Sequence, residues 1–578
     1  MIPGSGRVAQ WLGVSLPSEQ NYLGNECLSW IQDRIQTCCN SHSHNVLDRG
    51  FIPARLLDVT HQQPKLVHRA ELKSASRVKY AALSYCWGSA ADSQRQTKTT
   101  AATLPQRVAG LQDAEMTAVL RDAVRTTRAL SIPYLWIDAL CILQGSTPDW
   151  EENCRDMDKI YGSAHVTLCA ASSTSCHEGF LSPRGLRLRL PFQSYRRADV
   201  RGSYEIQFKY ARCLQTTEPP DVLGYDLTFC RWAYRAWTFQ EKALSTRQVL
   251  FGNSGIHFLC ENTHESMGDE PKEPATDTRF QTTNTVTSAT PTQLSQSWET
   301  LLSLYSAFDE TALTHASDIL PALAGLARLF QQRLNDTYIC GHWQTTLFHD
   351  LMWTLSHKLY APTRETHLAK LPARTSRLLP SWSRLLQSRP TINRFTPGGS
   401  SSPFRALRPE YQRLIPDVAL AGSNPLGAVR HARLRLTTVL LEPTGMAMHN
   451  EPSLGEGEEH CGFKWHADFG GDRYLDAESP SPMVFRLDRR VEGAASEFDR
   501  YTSSEVWGVE EMRWALLGSC EMRADGGRAA FGLVLHAVPG EVGRYWRVGA
   551  FVPSNAGRHG DSLALFRRVG RVETVEVV

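Results

Sequence analysis

The sequence lacks the features that mark membrane, secreted and nucleic-acid-binding proteins. It has no run of about 18 consecutive apolar residues, so no transmembrane helix is predicted. Residues 1–20 contain no positively charged segment followed by an apolar one, so no signal peptide is predicted. Lys and Arg number 62 and Asp and Glu 60, for a net charge of +2. This balance gives no electrostatic reason to expect a nucleic acid partner.

Several common catalytic motifs are absent as well. The sequence has no GxxxxGK[ST] loop, no GxGxxG after a strand and no GxSxG elbow, which argues against P-loop NTPases, classical dehydrogenases and α/β-hydrolases. The 14 cysteines follow no extracellular disulfide pattern. With no export signal, we expect reduced thiols in a cytosolic or nuclear compartment, and the predicted localisation is cytoplasmic.

A group of potential zinc ligands lies near the N-terminus: Cys27, Cys38, Cys39, His42 and His44. Their residue types suit zinc, but the spacing lacks the Cys-x2-Cys and His-x3–5-His pairs that make such a prediction strong. A helix end with buried thiols is the favoured interpretation, and no metal site is predicted.

Hydrophobic periodicity predicts an α/β fold in the first half of the chain. Apolar runs typical of strands alternate with stripes at helical spacing. In order, these are a strand at 80–85, a helix at 116–130, a strand at 134–139, a helix at 150–161 and a strand at 164–171. This alternation predicts a mostly parallel sheet with flanking helices.

The second half of the chain has a different pattern. Helical stripes are followed by short runs of alternating apolar and polar residues, which predict a helical segment and then a β-rich C-terminal domain. We therefore divide the chain into a helical extension (1–50), an α/β domain (51–263), a polar linker (264–298), a helical region (299–400) and a β-rich region (401–578).

Four motifs occur in a fixed order within the α/β region. They are residues 82–88 (ALSYCWG), 135–142 (LWIDALCI), 149–161 (DW through Met157 to IY) and 235–241 (RAWTFQE). Leu104-Pro105, Gly179-Phe180-Leu181 and Arg184 accompany them. Together they resemble the signature of the heterokaryon-incompatibility (HET) domain of fungi.

Two positions depart from the family's pattern. Gln144 is followed by Gly145-Ser146, where the family usually has an acidic residue. Arg384 stands where an aromatic residue usually follows the Pro-Ser-Trp-Ser motif at 380–383. Neither departure lies in the four principal motifs.

The resemblance implies a biological role and a partner. HET proteins act in vegetative incompatibility, in which intracellular recognition of a genetically different partner leads to programmed cell death. The implied partner is a protein of an incompatibility system or a second copy of this chain, and no cofactor is required. The size of the C-terminal part suggests that it restrains a toxic effector domain.

A remote resemblance of HET to TIR domains, some of which cleave NAD, implies a candidate active site with NAD as substrate. TIR enzymes carry a Trp and, four residues later, a Glu on one helix, as Trp237 and Glu241 do here. Glu241 is the candidate catalytic residue, since a carboxylate stabilises the charge that develops as the nicotinamide–ribose bond breaks. Arg235 is a candidate phosphate ligand because guanidinium pairs well with phosphate oxygens.

The strand ends supply further candidates for the same site. Asp138 follows a predicted central strand, where open α/β sheets bind ligands. Tyr85 and Trp87, at the end of the first strand, are candidates to wall the crevice and stack on a base.

Non-enzymatic interpretations stay open for all of these residues. Glu241 is also compatible with a helix-surface acid paired with Arg235 or Lys242, and the tryptophans with core packing. Asp138 is compatible with a structural hydrogen bond. The alternative functions are a self-associating interaction module without enzymatic activity and a regulatory protein that has lost toxicity.

Overall fold

The computed structural model of the protein consists of two compact units. The first comprises Met1–Ser288 and Ala322–Leu329, and the second comprises Ala289–Pro321 and Phe330–Val578. The structure describes residues 21–44, 50–72, 78–182, 187–196, 201–207, 222–268, 289–305, 313, 315–355, 364–377, 379–386, 391–393, 404–442, 447–449, 462–467, 472–476, 512–522, 528–553 and 562–578.

The first unit is an α/β domain. Its described helices are α1 (Asn25–Ser41), α2 (Ala90–Arg95), α3 (Leu104–Ala109), α4 (Ala118–Ala129), α5 (Asp138–Cys141), α6 (Thr147–Arg155), α7 (Met157–Ser163), α8 (Val222–Phe229) and α9 (Ala236–Leu244). Its described strands are β1 (Arg55–Asp58), β2 (Lys65–His68), β3 (Tyr80–Ser84), β4 (Tyr134–Trp136), β5 (Val166–Cys169), β6 (Arg187–Gln193), β7 (Arg201–Gln207), β8 (Arg247–Phe251), β9 (Ile256–Cys260) and β10 (His264–Ser266).

Eight of these strands form one sheet in the order β10-β9-β8-β5-β3-β4-β1-β2. The four strands β8, β5, β3 and β4 are mutually parallel. The edge pairs are antiparallel because the short connections between β1 and β2 and between β8, β9 and β10 leave no room for a crossover helix. The predicted fold class is confirmed, with the parallel part confined to the centre of the sheet.

The order in which the chain adds strands to the sheet reverses within its parallel part. From β3 the chain passes to β4 on one side, and from β4 it returns to β5 on the other side of β3. Open α/β sheets bind ligands at such a switch point, in the crevice outside the carboxyl ends of the strands. The ends of β3, β4 and β5 are therefore the first place to look for a site.

Helix α1 belongs to the core of the first unit. Its apolar stripe (Cys27, Ile31, Ile35) is buried in the same hydrophobic cluster as Val249 and Phe258 of the sheet. The opposite face of the sheet is covered by a second cluster that includes Leu223, Leu227 and Trp232. The periodicity of the sequence predicted this helix, but it did not predict that the helix packs against β8 and β9.

The second unit combines helices with a β-rich region. Its described helices are α10 (Pro291–Tyr305), α11 (Ala324–Leu334, whose first residues are assigned to the first unit), α12 (Leu347–Asp350), α13 (Arg364–Arg377) and α14 (Ser562–Val569). Its described strands are β11 (Tyr338–Ile339), β12 (His342–Trp343), β13 (Trp353–Leu355), β14 (Thr391–Asn393), β15 (Phe404–Pro409), β16 (Arg413–Leu420), β17 (Val429–Leu441), β18 (Ala447–His449), β19 (Gly462–Ala467), β20 (Asp472–Asp476), β21 (Met512–Met522), β22 (Arg528–Ala537), β23 (Arg544–Pro553) and β24 (Arg571–Val577).

Strand pairing in the second unit closes on itself. Strand β17 pairs with β21, β21 with β22, β22 with β23, β23 with β24, and β24 again with β17. The rings of Trp514, Phe551 and Phe566 stack in its core, with centroid spacings of 4.7 and 5.4 Å. The predicted β-rich C-terminal region is confirmed.

A short segment from later in the chain completes the first unit. Residues Ala322–Leu329 are assigned to it, although the chain has by then already contributed to the second unit. The Gly325 N–H donates to Gln240 Oε1 on α9 at 3.1 Å. Arg328 pairs with the buried Asp158 on α7 at 2.7 Å.

Several predicted boundaries shift in the structure. The strand expected at 134–139 ends at Trp136, because Asp138 begins a helix. Trp237 and Glu241 share one helix, as expected, but that helix begins only at Ala236, after a 3-10 turn (Arg231–Tyr234). The centre of the predicted linker, 269–288, lies outside the described residues. Among the described helices, none combines the length and hydropathy needed to cross a lipid bilayer.

Candidate functional site

The loop after β3 begins the candidate site. Ser84, the last residue of β3, is 1% exposed, and the chain then turns at Gly88, whose φ is +101°. A Cβ at Gly88 would lie 2.6 Å from the Asp92 carboxylate and 2.8 Å from the Ser175 hydroxyl. Glycine is therefore required here both by the backbone conformation and by space.

Glu241 lies on α9 and is buried against the end of β3. The Ser84 hydroxyl donates a hydrogen bond to its carboxylate, and the Tyr161 hydroxyl is a further polar group in its surroundings. Burial raises the pKa of Glu241 to about 7, although the hydrogen bond from Ser84 and the positive charge of Arg235 act in the opposite direction. The interpretation of Glu241 as a helix-surface acid is therefore wrong.

The Ser84 hydroxyl links Glu241 to a buried tryptophan. It accepts a hydrogen bond from Trp232 Nε1 at 2.7 Å while donating to Glu241. The Tyr161 hydroxyl donates to the Leu83 carbonyl at 3.1 Å. The Glu241 carboxylate is thus held by groups that are themselves fixed by packing.

Asp138 occupies the start of α5, directly after β4. Its carboxylate accepts hydrogen bonds from the Ala139 N–H at 2.6 Å and from Trp87 Nε1 at 2.9 Å. It also interacts with the Tyr85 hydroxyl. Burial raises the pKa of Asp138, partly offset by the Ala139 N–H and by Arg235. Its partners agree with the structural hydrogen-bonding role that the sequence left open, and its position at the strand ends keeps the site role open as well.

Arg235 interacts electrostatically with both acids, Glu241 and Asp138. It is the residue before α9, and its guanidinium donates to the Tyr85 carbonyl at 2.5 Å. Its charge lowers the pKa of both Glu241 and Asp138. The half-buried Arg235 thus supplies positive charge beside two carboxyl groups at the carboxyl edge of the sheet.

The three aromatic candidates, Tyr85, Trp87 and Trp237, differ in their exposure and in their contacts. Tyr85 is only 3% exposed and its hydroxyl accepts from Gln96 Nε2 at 2.5 Å, so it is not placed to stack on a base. Trp87 is partly exposed, with the Lys98 ammonium 5.3 Å from its ring centroid. Trp237 is partly exposed and packs edge-to-face on Trp150, at 6.3 Å between centroids.

Other motif residues have structural roles. Asp149 pairs with Arg55 of β1 and accepts the Leu143 N–H at 2.7 Å. Trp136 is fully buried and contacts Tyr161 edge-to-face. Leu104-Pro105 opens α3, where proline suits the first turn. Arg184 lies outside the described residues.

Sequence reasoning missed three groups that hold the site together: Ser84, Tyr161 and Trp232. Ser84 offered one signal, as a hydroxyl in an otherwise apolar run that must find a hydrogen-bond partner when buried. Tyr161 and Trp232 offered none, since their partners are 78 and 148 residues distant.

The N-terminal Cys and His residues are only partly brought together. Cys38, His42 and His44 lie close to one another and to Cys260, at the end of β9. Cys27 is buried in the core cluster and Cys39 is exposed. Cys260 lies 218 residues after His42 in the chain, so no local spacing in the sequence connects it with the N-terminal group.

Comparison with known proteins identifies the domain. Residues 80–241 match the family model described as "Heterokaryon incompatibility protein (HET)", from the first residue of β3 to Glu241 itself. No curated protein and no solved structure gives a significant match. The chain therefore contains a HET domain, which supports a role related to heterokaryon incompatibility.

Proposed function

We propose that this protein is an effector of heterokaryon incompatibility whose HET domain cleaves NAD at the Glu241 site, so that recognition of a non-self partner leads to cell death. The observation that carries the proposal is the position of Glu241. Its carboxyl group lies with Asp138 and Arg235 at the carboxyl ends of parallel strands, beside the switch point of the sheet.

The chemistry requires little more than a well-placed carboxylate. The bond between the nicotinamide nitrogen and the ribose breaks, the electron pair stays with nicotinamide, and positive charge develops on the ribose. Glu241 would stabilise that charge. Water then adds to the ribose carbon and passes a proton to the Glu241 carboxylate, so the products are nicotinamide and ADP-ribose.

The surroundings of Glu241 suit this role. A pKa of about 7 lets the group exchange a proton near neutral pH, which is the range in which general acids and bases work best. Arg235 carries the positive charge that a pyrophosphate needs. The partly exposed indole of Trp87 is fixed by its bond to Asp138, and it would contact the adenine or nicotinamide ring once the Lys98 ammonium over it moves aside.

The test is NAD consumption by the purified full chain at high protein concentration, with nicotinamide release followed by chromatography. We expect Glu241→Gln to reduce the rate by roughly 100-fold or more, as loss of a catalytic proton-transfer group does. Asp158→Asn removes another buried carboxylate of the same unit and should retain most of the activity. Equal rates in the wild type and Glu241→Gln would refute the assignment of the site.

A second candidate function has its own supporting observation. The Glu241 carboxylate is buried and hydrogen-bonded to Ser84, and Trp237 packs on Trp150, which is the arrangement expected if both residues serve packing. In that case the domain signals by binding a partner or a second copy. Growth arrest on expression of the wild type without NAD loss, together with concentration-dependent self-association in sedimentation, would favour this module.

A further inference from the structure

Two cysteines and two histidines lie close together at the C-terminal end of helix α1. The Sγ of Cys38 lies 3.0 Å from Nε2 of His44, and the Sγ of Cys260 lies 3.4 Å from Nδ1 of His42. The ligand atoms of all four side chains lie within 4.8 Å of one another. We propose that Cys38, His42, His44 and Cys260 bind a structural zinc ion.

The spacing of the four atoms suits tetrahedral coordination. Zinc binds sulfur at about 2.3 Å and nitrogen at about 2.0–2.1 Å, so neighbouring ligand atoms in a tetrahedron lie about 3.3–3.8 Å apart. The two sulfur–nitrogen distances fall near this range, and small side-chain movements suffice to reach it. The rings of His42 and His44 stand at 88° to each other, so the two imidazoles approach a common point from perpendicular planes.

The local backbone explains how three ligands from one short segment meet. Cys38 lies in the last turn of α1, and His42, four residues later, follows on the same side of the helix. At His42 the chain becomes extended, with φ −109° and ψ 132°. Alternate residues of an extended chain point the same way, so His44 joins His42 while Ser43 faces solvent.

The surroundings of the four ligands resemble those of a metal centre. His44 Nδ1 lies 3.3 Å from a carboxylate oxygen of the buried Glu261, which directs Nε2 toward the sulfurs, as carboxylates do for metal-bound histidines. Arg247 Nε donates to Cys38 Sγ at 3.2 Å. With both thiols ionised, the charges of the zinc ion and Arg247 balance those of the thiolates and Glu261.

The donor set and burial select zinc among the common metals. Two sulfur and two nitrogen donors in a tetrahedral arrangement are typical of zinc. Cys38, His44 and Cys260 are buried and His42 is partly buried, so the four protein ligands leave no open position, as in structural rather than catalytic sites.

A metal ion bound here would link the C-terminal end of α1 to the end of β9, which are distant in the chain. Cys260 ends β9, 218 residues after His42 in the chain. The helix α1 lies outside the range matched by the HET family model, and the metal would fix it to the sheet of that domain. Such a site contributes directly to folding, because the ligands are brought together only in the native state.

The test is the metal content of the full chain, purified without a histidine tag and dialysed against metal-free buffer. We expect about one zinc ion per chain in the wild type. Cys39→Ser provides a matched control, since Cys39 is adjacent to Cys38 but exposed, and it should retain the zinc. Cys260→Ala should lose it, and so should His42→Ala, which alters the ligand least buried and most tolerant of change.

A second measurement does not depend on how the variants fold. Chelation followed by addition of cobalt(II) should give the visible absorption bands of a tetrahedral sulfur–nitrogen site in the wild type and in Cys39→Ser. Chelation should also lower the melting temperature of both proteins. Wild-type protein that contains no zinc and gives no cobalt spectrum would overturn the proposal. So would a Cys38–Cys260 disulfide found by peptide mapping, or equal metal loss in Cys39→Ser.

Discussion

The Ser84 hydroxyl donates a hydrogen bond to the Glu241 carboxylate, joining the last residue of a central parallel strand to a helix 157 residues later. This bond connects the first and last motifs by which the HET domain is recognised. It also places a carboxyl group with a pKa of about 7 at the edge of the sheet where α/β folds bind ligands.

The raised pKa of Glu241 predicts a specific dependence of stability on pH. The folded protein holds this proton up to about pH 7, whereas an exposed glutamate loses it near 4.5. Stability from this group is therefore complete at low pH and is lost as pH rises through 7. At about 1.4 kcal/mol per pH unit of difference, the loss is roughly 3 kcal/mol.

Replacing Glu241 tests that dependence directly. Glu241→Gln cannot ionise, so its free energy of unfolding relative to the wild type should increase between about pH 5 and about pH 8. Urea denaturation at both pH values measures the difference. Asp113→Asn alters an exposed acid and should leave the pH dependence unchanged. Parallel pH profiles for Glu241→Gln and the wild type would contradict the assigned pKa.

Ser84→Ala should destabilise the protein and alter the titration of Glu241. The variant leaves the buried Trp232 N–H without its acceptor, at a cost of about 1–3 kcal/mol. It also removes a bond that lowers the pKa of Glu241, so the pH dependence of stability should move to higher pH. Thr167→Val removes a buried hydroxyl that contacts Ser245 at 2.7 Å and should lower stability without moving that midpoint. An unchanged midpoint in Ser84→Ala would refute the link.

Gly252→Ala should be strongly destabilising. A Cβ at this position would lie 1.9 Å from the Asp226 carboxylate, which is buried and bound to His257 Nε2 at 2.9 Å and to the Ser254 N–H at 3.0 Å. Displacing the Asp226 carboxylate from a buried pair should cost about 3 kcal/mol or more in unfolding free energy.

Gly255→Ala is the matched control for the same hairpin. No atom of the described residues lies within 4 Å of a Cβ there, so the change in unfolding free energy should stay within about 0.5 kcal/mol. Urea denaturation of both variants measures the contrast. Similar values for the two variants would show that the Asp226 carboxylate does not restrict this turn.

The second unit contains a buried ion pair whose partners should be strongly coupled. Arg384 is fully buried, bonds to Glu299 on α10 and donates to the Ser303 hydroxyl at 2.8 Å. Arg384→Met should cost about 3–5 kcal/mol because the Glu299 carboxylate stays buried without its partner. Adding Glu299→Gln should restore a large part of that loss. A double-mutant cycle by urea denaturation checks this, and additive effects would count against the pairing.

This pair also explains a departure seen in the sequence. The resemblance of the sequence to the HET family leads to the expectation of an aromatic residue at the position of Arg384, which lies outside the residues matched by the family model. The guanidinium is buried, and the acid on α10 makes its charge tolerable there. One sequence reveals the unusual residue but not the partner 85 positions away.

Local pattern predicted the elements of the α/β domain better than it predicted their ends. The helix at Ala118–Ala129 and the strands around Ala81 and Leu168 follow from periodicity, because each buries a continuous apolar stripe. The early end of β4 does not, because Asp138 is satisfied by Trp87 and the Ala139 N–H rather than by the strand ladder.

The candidate sites depended on long-range pairing and were predicted only in part. The i, i+4 spacing of Trp237 and Glu241 followed from the sequence, but the burial of Glu241 depends on Ser84 and Tyr161, which no local pattern connects to it. For the same reason, nothing in the sequence indicated that Cys260 lies beside the N-terminal cysteine and histidines. A ligand contributed by a distant strand has no spacing signature.

The segment Ala322–Leu329 affects how the HET domain can be made in a cell. Its contacts with Gln240 and Asp158 belong to the first unit, yet the ribosome synthesises it after more than thirty residues of the second unit. The first unit therefore cannot complete its folding until synthesis has passed residue 329. A deletion of residues 264–578 would therefore also remove part of the first unit itself.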